Sequence, residues 1–215
     1  MYFFMKGEKK KRGFKELVWI AIRLSLVLLL GYIAMSKLRT FSYASAEDLV
    51  RKNYSAEVKK ICETEKLPAA YFNALIILEC SGRKPSGSRF EPHVYDKLLA
   101  VKEGRSKSYM NISSKRLENM DESTLKQLAT SWGPLQLMGY HCLTLGISID
   151  ELKGPNTLKH SIRWCKKNYG KYLDKKDFKN AFHLHNTGRT HPEWWFSRTH
   201  DPDYVQKGLG YMDRF

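Results

Sequence analysis

Glu79 closes the apolar run from Ala69 to Leu78, and Cys80-Ser81-Gly82 break the run directly after it. A carboxylate at the C-terminal end of an apolar helix sits against carbonyl dipole ends, which disfavour its charged form. A carboxylic acid that keeps its proton near neutral pH can protonate a glycosidic oxygen. Sugar-bond cleavage is therefore the chemistry to test against the remaining residues. A cation develops at C1 in such a reaction, and a second carboxylate usually assists. Glu91 and Asp96 are the carboxylates near enough in sequence to serve, and Pro92 and His93 suggest a fixed turn beside Glu91. The alternative for Glu91 is a structural ion pair with Arg89 or His93.

Other chemistries fit less well. His183, His185, His191 and His200 invite a metal, but His183 and His185 would lie on opposite faces of a helix, so no metal site is expected. No cofactor is expected either. Cys62, Cys80, Cys142 and Cys165 include no Cys-x-x-Cys pair. They allow two disulfides or four buried thiols. Cys80 has no base nearby in sequence to make it a nucleophile.

The elements that must position these groups read as many short helices. Val50, Tyr54, Val58 and Ile61 recur at helical spacing after Ser45. Pro68 opens a second helix that ends near Glu79. Ser81–Arg89 reads as a loop, Phe90–Tyr95 as extended, Asp96–Glu103 as helix and Gly104–Ser114 as irregular. Asp121 begins a helix expected to reach Ser131, Gly133-Pro134 breaks it, and Leu135–Leu145 reads as a further helix. Helices follow at Ser148–Lys153, Leu158–Leu173, Asp177–His185 and Asp203–Gly208.

The N-terminus has its own signature. Lys6, Lys9, Lys10, Lys11, Arg12 and Lys15 precede a nearly unbroken apolar stretch from Leu17 to Ser36. That stretch matches the roughly 20 residues a membrane-spanning helix needs. The basic flank predicts a cytoplasmic N-terminus and an exported remainder. The stretch reads as a retained signal anchor. A cleavable signal peptide ending at Ala44-Ser45-Ala46 is the alternative, against which Lys37 and Arg39 stand. The domain reading is a basic cytoplasmic segment at 1–16, an anchor at 17–36, a linker at 37–48 and one folded domain at 49–215. The chain carries +15 overall, but residues 41–215 hold 28 basic against 20 acidic residues, only +8. The densest run of basic residues lies ahead of the apolar span, which argues against nucleic acid as the partner.

Three ordered segments carry a family resemblance. Leu78-Glu79-Cys80-Ser81-Gly82 resembles the Glu-Ser-x-Gly signature of lysozyme-fold enzymes acting on peptidoglycan. Gly133-Pro134-Leu135-Gln136-Leu137-Met138 resembles their Gly-x-Met-Gln segment, and Ala181 to Gly188 resembles their Ala-x-x-Tyr-Asn-x-Gly segment. The N-acetylmuramidase type of phage endolysins adds a Phe-Glu-Arg-His-x-Phe stretch and Ser-Trp-Gly-x-x-Gln-x-Met-Gly, which Arg89–Tyr95 and Ser131–Gly139 resemble in the same order. Cys80, Pro134 and His185 depart from these patterns, and the loop from Glu79 to Phe90 is shorter.

The resemblance implies a mainly α (α+β lysozyme-like) multi-helix domain with a catalytic groove, preceded by the N-terminal transmembrane helix. It implies cleavage of the β-1,4 bond between N-acetylmuramic acid and N-acetylglucosamine, with Glu79 as acid and Glu91 as second catalytic candidate. Gln136, Asn186, Trp132, Met138 and His185 would contact substrate, and Trp194, Trp195 and Tyr140 offer further aromatic faces. The product, anhydro or hydrolytic, stays open. The implied partners are peptidoglycan strands, the membrane through the N-terminal helix and protein partners in a wall-spanning assembly. The implied location is single-pass in the bacterial inner membrane, with the domain on the extracytoplasmic side. The rival reading is a catalytically idle module that binds wall glycan or scaffolds such an assembly.

Overall fold

The structure, a computed structural model, describes residues 8–39, 44–192 and 199–215; within 8–39, side chains are described at 13, 16 and 18–31. It divides into two compact units, Met1–Tyr43 and Ala44–Phe215. In the first, helix α1 (Glu8–Arg39) exposes large apolar side chains, among them Trp19, Leu24 and Leu28. Among the described residues no helix is long and apolar enough to cross a membrane. The span expected at 17–36 includes Leu17 and residues 32–36, whose side chains lie outside that description. Trp194 and Trp195 lie outside it too.

The second unit begins with a cap. The Ser45 hydroxyl accepts from the Asp48 amide at 3.1 Å, and the Asp48 carboxylate accepts from the Ser45 amide at 3.2 Å. This reciprocal pair starts α2 (Ala46–Asn53) within the stretch expected to be linker. Helix α3 (Ser55–Glu65) follows and packs beside α4 (Ala69–Cys80). Tyr71 to Ile77 of α4 are all buried, as a helix apolar on every side must be. Around it stand α9 (Thr157–Asp174), α10 (Phe178–Thr187) and α11 (Tyr204–Met212), and together they form the first core.

A second core gathers α5 (Pro92–Lys102), α6 (Glu122–Leu128), α7 (His141–Leu145) and α8 (Ile149–Lys153). Against it lies a three-stranded antiparallel sheet of order β1–β4–β5: β1 (Ser88–Phe90), β4 (Thr130–Trp132) and β5 (Leu137–Met138). Ser131 pairs with Arg89 on one side and with Met138 on the other. A hairpin, β2 (Ser108–Tyr109) and β3 (Ile112–Ser113), completes the unit.

Three sequence readings are corrected here. Helix α5 begins at Pro92, not Asp96. Pro92 does hold Glu91 extended, at φ −115° and ψ 95°, but its own fixed φ suits a first helical turn. The hairpin replaces the irregular 104–114, turning through Met110 and Asn111 at positive φ. Helix α6 stops at Leu128, and strands stand at Thr130–Trp132 and Leu137–Met138 where helix was expected up to Ser131 and again from Leu135, on either side of the break expected at Gly133-Pro134. Gly133 at φ +74° and Gln136 at φ +47° close a tight turn that no helix accommodates. Leu135 enters the first core and Leu137 the second, so this turn is the seam between them.

Candidate active site

Glu79 sits in the last turn of α4, where Ser81 and Gly82, both at positive φ, end the helix. Its side chain keeps 17% of its surface exposed, so it is sheltered yet reachable. Two neighbours converge on one oxygen. The Tyr204 hydroxyl, on α11, donates to Oε1. His185, on α10, brings Nε2 to 3.8 Å from the same atom. Among the described residues no hydrogen bond engages Oε2, leaving that oxygen for a substrate.

The tautomer of His185 follows from its partners. Nε2 lies 3.2 Å from the Leu135 carbonyl, which only accepts, so Nε2 carries the proton. Nδ1 then accepts from the Tyr169 hydroxyl at 2.9 Å, and Tyr169 in turn accepts from Tyr71 at 3.4 Å. Burial lowers the basicity of His185, against a smaller opposing pull from Glu79. A neutral imidazole is thus held beside the carboxylate, its N–H bonded to the Leu135 carbonyl. The chain Tyr71–Tyr169–His185 joins α4, α9 and α10, and Tyr169 reaches it from a kink in α9 at φ −142°.

The other expected site residues are placed as follows. The Gln136 amide is engaged within its own turn: Oε1 accepts from Ser131 Oγ at 2.8 Å, and Nε2 donates to the Gly133 carbonyl at 2.9 Å and the Gly87 carbonyl at 3.4 Å. Glu91 forms the ion pairs that were its alternative reading, to Arg89 at 2.9 Å and His93 at 3.6 Å. Trp132 is half-buried, its indole N–H donating to the Gln127 carbonyl at 2.9 Å. Met138 is half-buried on β5. Asn186 is exposed on α10, and among the described residues it makes no hydrogen bond to Glu79 or Gln136. Tyr140 is buried against Tyr109 and His141 and belongs to the core. Sequence reasoning missed Tyr204 and Tyr169, which occupy no motif.

All four cysteines are free and buried. Burial pushes Cys62 and Cys165 up to about 12 and Cys80 and Cys142 up to about 11, so the thiols stay protonated and unreactive at neutral pH. Among the described residues no group of three or more His, Cys, Asp or Glu could hold a metal ion.

The buried histidines make stability acid-sensitive. Burial lowers His141 to about 3, and it lowers His185 as well. Between the ordinary value near 6.5 and those lowered values, the unfolded chain binds more protons than the folded one. Their contribution is complete above pH ~6.5 and drains away as pH falls, at up to about 1.4 kcal/mol per pH unit for each group. Among the described residues His141 Nδ1 has no hydrogen-bond partner, and the ring packs on Tyr140 and Trp164, so phenylalanine fits there. Thermal midpoints from pH 7 to pH 4.5 should fall less in His141→Phe than in wild type; parallel curves would contradict this.

No family model and no curated protein matches the chain. Among solved structures, the crystal structure of Burkholderia AP3 phage endolysin matches with a TM-score of 0.50 and 20% sequence identity, covering 74% of this chain and 70% of that one. The chain thus shares the mainly helical, α+β fold of a phage endolysin, the architecture its ordered motifs implied.

Proposed function

We propose that this protein cleaves peptidoglycan strands at the β-1,4 bond between N-acetylmuramic acid and N-acetylglucosamine, with Glu79 as general acid. The observation that carries this reading is the arrangement at Glu79: Oε1 is pinned by Tyr204 beside a neutral His185, and Oε2 is left unengaged. The endolysin-like fold supports the substrate class.

In the proposed step Oε2 delivers a proton to the glycosidic oxygen as the bond to C1 breaks, and the leaving sugar departs as an alcohol. Since both Glu91 oxygens face basic groups, the substrate's own acetamido oxygen is the better candidate to hold C1. Glu79, now a carboxylate, then takes a proton either from water, giving a reducing end, or from the muramic O6 hydroxyl, giving a 1,6-anhydro end. Gln136 Oε1 keeps a lone pair beyond the one Ser131 uses, enough to receive a sugar N–H or O–H. Met138, Asn186 and His185 would line or support the same groove. The basic flank and apolar stretch of the N-terminus support an anchored protein with this domain outside the cytoplasmic membrane.

Purified sacculi digested with the protein and read by mass spectrometry test the proposal. Soluble muropeptides should appear, and their ends, anhydro or reducing, decide the second step. Binding without any release would favour the idle-scaffold reading instead.

A further inference from the structure

A concave site separate from Glu79 lies at the Gly133-Pro134 turn. It is a groove of about 650 Å³, within the size range of ligand pockets, and it does not include Glu79. Tyr54, Glu57, Lys84, Trp132, Lys153 and Thr157 line it. Its cations are held in place. Lys84 Nζ stands 5.4 Å from the Tyr54 ring centre and Lys153 Nζ 5.1 Å from that of Trp132. Each ring is itself fixed: the Tyr54 hydroxyl donates to the Arg83 carbonyl at 2.6 Å, and the Trp132 indole to Gln127. Lys153 also donates to Gln127 Oε1 at 2.8 Å and pairs with the exposed Asp150 carboxylate at 3.4 Å. Ammonium groups fixed in this way lose little freedom when an anion binds.

We infer that this groove binds the acidic peptide borne by the glycan strand. The inference rests on the proposed function and names the part of the substrate that the second groove reads. Charge complementarity chooses the occupant. Lys84 and Lys153 suit carboxylates, while Glu57 repels a uniform polyanion and suits an amino group, so a peptide carrying both kinds of charge matches where a polyphosphate does not. Position agrees. Pro134 lines the groove, and the next residue, Leu135, holds His185 beside Glu79 through its carbonyl. Consecutive Cα atoms lie 3.8 Å apart, and four extended peptide residues span about 13 Å, so a peptide branching from a sugar near Glu79 can reach across the turn.

The experiment compares cleavage of peptide-bearing strands with strands stripped of peptide by an amidase, for wild type and for the Lys84→Ala/Lys153→Ala variant. Wild type should favour peptide-bearing strands by about tenfold in kcat/KM, and the variant should lose most of that preference while cutting stripped strands at the wild-type rate. An unchanged preference, or equal loss on both substrates in a variant that keeps its thermal midpoint, overturns the inference. Titration of the free stem tetrapeptide, followed by tryptophan fluorescence, separates the two proposals. If wild type cuts neither substrate but binds the tetrapeptide through Lys84 and Lys153, the cleavage proposal fails and the groove assignment survives. If cleavage is normal and the tetrapeptide does not bind, the reverse holds.

Discussion

Glu79→Gln should lower strand cleavage by roughly 10³-fold, within the range general acid catalysis supplies, while leaving the fold and the affinity for sacculi nearly unchanged. The substitution keeps the shape of the side chain. Its amide oxygen still accepts from the Tyr204 hydroxyl, and the apolar length of α4 beneath it is untouched. What is lost is an acidic proton on the second oxygen, since a carboxamide N–H cannot protonate a glycosidic oxygen. The loss should fall on kcat, because the group acts on the transition state rather than on ground-state binding. Muropeptide release over time, with a pull-down on sacculi and a thermal melt beside it, measures the three quantities together. Release above about one tenth of the wild-type rate would remove Glu79 from its role as acid.

Gly139→Ala should cost about 3 kcal/mol and lower the thermal midpoint by roughly 6–12 °C, because the added methyl has nowhere to go. A Cβ at Gly139 would lie 2.2 Å from the Gln127 carbonyl oxygen and 2.9 Å from Leu128 Cα, both backbone atoms. The close approach is made by hydrogen bonds on each side, Gly139 N–H to the Thr130 carbonyl at 2.7 Å and Tyr140 N–H to the Leu128 carbonyl at 2.8 Å. Separating these segments also moves the Gln127 carbonyl that holds the Trp132 indole, so activity should fall with stability. Gly210, on α11, provides the contrast: nothing among the described residues lies within 4 Å of its Cβ position, so Gly210→Ala should be neutral or stabilising by up to about 1 kcal/mol. Similar melting curves for the two variants would show that the approach at Gly139 relaxes without cost.

Local rules made much of this protein legible in its sequence. An apolar run ending in Glu79 must be a buried helix with its acid at the C-terminus, and α4 is one. Helix starts hold where they were read, and at Ser45, Asp121, Ser148 and Asp177 the side chain accepts an amide three residues on. These features depend on neighbours within one turn of chain, which is the range over which side-chain type and spacing act.

What the sequence did not disclose is set by packing between distant segments. The helix expected from Leu135 fails at its start because Leu135 and Leu137 are both buried but in different cores, so their apolarity records two separate environments rather than one helix face. The carboxyl groups show the same division. Glu79 and Glu91 are both acids near turns, yet Glu91 faces Arg89 and His93 two residues away on either side, while Glu79 faces Tyr204 and His185 across more than a hundred residues. The sequence alone determined which acid ends the central helix; only the tertiary structure decided what surrounds it. Tyr204 and Tyr169 reach the site through how α11 and α9 pack, and no short-range pattern encodes a contact made by packing.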